Sequence, residues 1–146
     1  MVPDMRQSLD ARLADWRRMT ARMEQLKASG GLGEAEFEMI AVLKFSSNVL
    51  LREQVLLQAR HILAPSEGLV NALLDVVCNR QLFVDERTLA AQALGFLVPR
   101  LDSEVGDEQA KSEMIRRLTQ TLDLPEAEVF RQAVTRVIAG IRAGQR

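Results

Sequence analysis

An internal repeat constrains this chain more than any other feature. Shifting residues 43–65 by 34 positions lays them over residues 77–99, with Leu57-Gln58-Ala59 on Ala91-Gln92-Ala93 and Ile62-Leu63-Ala64-Pro65 on Phe96-Leu97-Val98-Pro99. Each copy carries two helical patterns: residues 34–45 and then a helix stopping at Pro65, residues 67–80 and then a helix stopping at Pro99. A lone pair of helices cannot bury both of its apolar faces, so units of this period stack on one another. A further shift of 40 places a third copy, with Val129 on Leu89, Gln132 on Gln92, Ala133 on Ala93 and Val137 on Leu97. Its first helix is expected over residues 107–122. Pro125 suits the first turn of the last helix, which should fade between Gly140 and Gly144.

Residues 85–99, reading D-E-R-T-L-A-A-Q-A-L-G-F-L-V-P, have small and apolar side chains on two sides of one helix, which predicts burial on two sides. Asp85 is the expected N-cap, Glu86 a favourable first-turn anion and Pro99 the stop. Ala93 and Leu94 should lie in a tight helix contact, with Gly95 permitting the approach. Ahead of the repeats, Met5, Leu9, Leu13, Trp16, Met19, Met23 and Leu26 recur every three or four residues, one face of a long amphipathic helix over residues 4–28. That stripe should pack on the first repeat, the other possibility being a second copy of the chain. Ser29-Gly30-Gly31-Leu32-Gly33 follows as a corner; it comes after a helix and lacks the Lys-Ser/Thr of a phosphate loop.

The run Arg87, Ala90, Ala91, Ala93, Leu94, Gly95 and Leu97, with Leu69, Leu73, Leu74 and Val77 before it, resembles a HEAT or armadillo-like repeat. Residues 34–99 carry the resemblance well and residues 107–141 loosely; the chain has Glu86 where the pattern usually has Val, and His61 where it has Gly. Tetratricopeptide repeats share the period, but their Trp, Gly, Tyr and Phe landmarks do not map onto residues 69–99. The resemblance implies an all-α fold: a right-handed α-α superhelix of three helix pairs, residues 34–65, 66–99 and 107–142, behind the N-terminal helix, in one domain over residues 1–146.

The 146 residues suit one domain, and the absence of Tyr leans away from sheets. A formal charge of -1 argues against gripping nucleic acid by the overall field. The charge is uneven: six Arg/Lys against four Asp/Glu in residues 1–28, four against two in residues 126–146, and an acidic centre. One cysteine, no signal-peptide core and no membrane-length apolar run together predict a cytoplasmic protein that does not enter the membrane, a monomer or homodimer.

No residue cluster predicts chemistry. His61 is the only histidine, and Gln58 stands three before it where a helical di-metal site would want Glu. Cys78 sits with Leu74 and Val77 and reads as a small core residue. The acidic loop 102–108 has Gly106 and Asp107 in the reverse of calcium-loop order, so a solvated loop is expected. No catalytic residue, metal or cofactor is therefore predicted. The expected function is binding another protein or peptide segment, with a nucleic-acid-binding repeat protein as the alternative and an enzyme ranked below it. If Val55, Leu56, Ala59, Ile62 and Leu63 face the core, then at about 100° per residue Gln58 lies on the flank and Leu57 and His61 on the far side. Gln58, Gln92 and Gln132 would then form a ladder for a partner backbone, with His61, Arg131 and Thr135 extending it.

Overall fold

The computed structural model describes residues 5–101 and 108–144, with side chains from residue 11 onward, and every regular element among them is helical. Helix α1 (Met5–Ser29) ends where Gly30 adopts φ +77° and the Gly31 N–H returns to the Leu26 carbonyl at 2.8 Å, the left-handed glycine cap expected at this corner. A 3-10 turn (Leu32–Ala35) leads into α2 (Glu36–Phe45). Asn48 then caps α3 (Val49–Ala59) by accepting the Leu51 N–H, and Ser66 caps α4 (Glu67–Cys78) by accepting the Leu69 N–H at 3.2 Å. Helix α5 (Val84–Leu97) runs into a 3-10 turn (Val98–Arg100), and α6 (Glu108–Leu122) and α7 (Glu128–Ala143) complete the chain.

The helices pack in two rows. In one, α2 lies on α4 and α4 on α6; in the other, α1 lies on α3, α3 on α5 and α5 on α7; the pairs α2–α3, α4–α5 and α6–α7 join the rows. This is the neighbour order that stacked two-helix units require. The middle pair is the most buried: Leu69, Val70, Leu73, Leu74 and Val77 of α4 meet Ala90, Ala91, Ala93, Leu94 and Leu97 of α5 in a core reaching from Met23 to Ile141. Two-sided burial of residues 85–99 is thus observed.

Helix α1 covers the exposed flank of α3. Met23 is buried, Met19 and Leu26 are partly buried against the same core, and the Asn48 amide donates to the Arg12 carbonyl at 3.1 Å. Its apolar stripe is thereby packed within one chain over its second half, where it stands in for a preceding closing helix.

Charged side chains also tie unit to unit. Arg52 of α3 donates to Glu86 of α5 through Nη2 at 2.9 Å and Nε at 3.3 Å, and Glu86 is completely buried. Arg87, also buried, donates from Nε to the Val77 carbonyl at 2.9 Å and from Nη1 to Glu126 at 3.1 Å, with its guanidinium carbon 4.4 Å from the centre of the Phe130 ring. Arg52, Glu86 and Glu126 occupy one repeat position under the shifts of 34 and 40, and the two carboxylates, at the starts of the second and third closing segments, each reach back to an arginine of the unit before.

Five local expectations are corrected. Asp85 is not the N-cap: α5 begins at Val84 after Phe83, which makes no side-chain cap, and Asp85 falls in the first turn, because the helix phase is the one that turns Glu86 inward to Arg52. Helix α3 stops at Ala59 rather than at Pro65, since Arg100 of the next unit donates to the Arg60 and Ile62 carbonyls at 2.6 and 3.0 Å and satisfies groups that a longer helix would have used. Leu63 consequently lies beyond the helix and is 75% exposed, outside the core expected for it. Pro125 precedes α7 by three residues, in a turn whose Leu122 and Leu124 carbonyls accept from Arg131. Gly95 is not a close-approach glycine either, because a Cβ there would meet only Val137 Cγ2, at 4.0 Å. The acidic loop 102–108 lies outside the described residues except for Glu108.

Candidate functional site

The predicted ladder requires its glutamines to be exposed at equivalent positions, and the first is not. Gln58 is only 5% exposed, and its Nε2 donates to Glu24 of α1 at 2.7 Å. The N-terminal helix covers the flank on which Gln58 was expected to be free, so this residue joins two helices and leaves the candidate surface.

Gln92 and Gln132 are exposed on the neighbouring helices α5 and α7. Gln92 borders a groove of about 230 Å³ between them, with Ala91, Gly95, Phe96, Ala133 and Arg136. Gln132 lies in an adjoining depression with Glu128, Arg131, Thr135 and Arg136, and Arg136 belongs to both. Two of the predicted residues are already committed within the fold: half-buried Arg131 holds the α6–α7 turn through the carbonyls of Leu122 and Leu124, and the Thr135 hydroxyl donates to the Arg131 carbonyl at 2.8 Å. Gln132 reaches Glu128 at 3.4 Å, a weak tie along its own helix.

His61 stands apart from this groove, exposed in the turn after α3. It borders a separate depression with Lys27, Gly30, Leu32 and Gly33. Its imidazole is held below the ordinary 6.5, first by lost hydration, then by the charges of Lys27, Arg60 and Arg100, while Glu24 acts in the opposite sense. A histidine harder to protonate in the fold than in the unfolded chain stabilises the fold above its unfolded pKa, and that contribution is lost as the pH falls from 6.5 through the folded value. In a proton NMR titration the His61 ring should therefore show a midpoint below 6.5 that moves upward when salt screens the three cations. A midpoint above 6.5 would mean that Glu24 dominates instead.

Two side chains of the groove were not singled out by sequence reasoning. Phe96 aligns with Ile62, a core residue, yet its ring is 50% exposed, with the Arg60 guanidinium carbon 5.6 Å from its centre. Arg136 aligns with the same position in the third copy, and that alignment, apolar in two copies and cationic in the third, was the available signal. Cys78 is half-buried against the core with its thiol pushed up, first by burial, as a packing residue should be. Among the described residues no helix is long and apolar enough to cross a membrane, and no group of three His, Cys, Asp or Glu could hold a metal ion. Comparison with family models, curated proteins and solved structures gives no match to this chain.

Proposed function

We propose that this chain is a non-catalytic protein-interaction module: a right-handed stack of three helix pairs of HEAT-like type that offers the outer face of its closing helices to a protein or peptide segment. The observation that carries this reading is the side-by-side exposure of Gln92, Phe96, Gln132 and Arg136 on α5 and α7, around an open groove. Stacked helices present such rows as extended surfaces, and glutamine supplies both a donor and an acceptor to a partner's backbone. The packing of α1 on α3 supports its role as the terminal cap that keeps the stack soluble.

The test is capture of a partner from the native host by the tagged full chain, identification by mass, and measurement of its affinity for wild type and for Gln92→Ala/Gln132→Ala. That double variant should lose at least about tenfold in affinity, with its thermal midpoint within about 2 °C of wild type, because both side chains are exposed. Unchanged affinity would move the site off this face. Arg131→Ala is a poor probe of binding, since it also frees the turn carbonyls before α7. A nucleic-acid reading draws on Lys27, Arg60 and Arg100 around His61, and a salt-sensitive mobility shift on DNA or RNA in place of protein capture would favour it.

A further inference from the structure

We infer that the groove between α5 and α7 seats an apolar side chain of an acidic peptide segment. This rests on the interaction-module reading and adds the chemistry of the partner.

The groove joins an apolar interior to positive charge that no carboxylate among the described residues pairs. Phe96 and Arg136 line it together with the small residues Ala91, Gly95 and Ala133. Its volume of about 230 Å³ suits a single leucine- or phenylalanine-sized side chain. Arg60 lies over the Phe96 ring, and among the described residues neither Arg60 nor Arg136 has a carboxylate partner. Arg100 is spent on the carbonyls that end α3. The bias extends beyond these contacts: residues 54–66, 87–101 and 129–144, the later parts of three adjacent closing helices and their ends, hold arginines and His61 but no Asp or Glu. Glu86 and Glu126 are bound to Arg52 and Arg87, and Glu128 borders the adjoining depression with Arg136 without pairing with it.

Gly95 adds an energetic observation. It occupies an exposed position in the last turn of α5, which the 3-10 turn continues, and a Cβ there would meet nothing closer than 4.0 Å, so no packing among the described residues demands a glycine. Glycine there costs roughly 0.5–1 kcal/mol relative to alanine, and its effect is to leave the groove open beside Phe96. An incoming apolar side chain would cover the exposed Phe96 ring and the surface at Gly95, while acidic neighbours would meet Arg60 and Arg136, a pairing that also disfavours basic or neutral segments.

The experiment is selection of a phage-displayed random peptide library on the immobilised full chain, followed by titration of synthetic copies of the enriched peptides. Enriched sequences should carry Asp or Glu around one Leu, Phe or Trp. Their affinity should fall at least about tenfold in Gly95→Leu, which fills the groove, and in Arg136→Glu, which reverses its charge. Gly95→Leu should keep or raise the thermal midpoint, since leucine is the better helix former, so lost binding cannot come from lost folding. Enriched peptides without acidic residues, or binding that survives both substitutions, would overturn the groove assignment and leave the module reading standing. A dimer that Gly95→Leu dissociates would give the groove to a second copy and overturn the acidic-segment proposal. Failure to enrich any peptide, with tight binding of an RNA or DNA oligonucleotide instead, would overturn both.

Discussion

Replacing Arg52 with methionine should destabilise the fold by about 3–5 kcal/mol, read as a lower urea midpoint with little change in slope. The cause is the partner left behind. Glu86 has 0% exposure, and Arg52 is its ion-pair partner, while the same guanidinium donates from Nη1 to the Ser46 carbonyl at 2.7 Å. Removing it strands a buried carboxylate and an acceptor before α3. Breaking a buried pair from one side is far more costly than replacing both members, so Arg52→Met combined with Glu86→Leu should recover most of the loss. A single variant with a wild-type midpoint would show that Glu86 is not held in this way, and equal losses in the single and double variants would show that volume rather than charge is what the site needs.

Ala93→Glu should be about as damaging, while the same change one residue earlier should be nearly silent. Ala93 is 1% exposed, packed in the core with Leu94 and Leu97, and a glutamate there must either ionise without a partner or bury its protonated carboxyl. The expected cost is about 4 kcal/mol, which for a chain of this length lowers the thermal midpoint by roughly 10 °C. Gln92 is exposed on the same helix, and Gln92→Glu should stay within about 0.5 kcal/mol of wild type. Exchange of these two results would mean that α5 is rotated from the phase described above.

The repeat of 34 and the two-sided pattern of residues 85–99 were legible because they come from periodicity, which each helix carries in its own sequence. Helix pairs in two rows and a central pair buried on both sides are observed, as is the glycine corner expected after α1. Gln92 and Gln132 were placed on the surface by the same reasoning. It failed where a contact comes from another unit. Gln58 has the sequence setting of Gln92 but lies under α1, and α3 ends early because a guanidinium 40 residues away takes its carbonyls.

The sequence by itself therefore determined which segments are helices and which face of each is apolar, since those depend on side-chain spacing along a known helical period. Only the tertiary structure decided which polar residues are buried and which are free. Glu86 reads as a first-turn anion, yet it is buried and paired with Arg52, and Arg87 beside it is buried and paired with Glu126. Phe96 shares its repeat position with the core residue Ile62, yet opens onto the groove. A charge or a ring is stabilised by whatever lies within a few ångströms in space, and along this chain those neighbours stand 34 to 40 residues away.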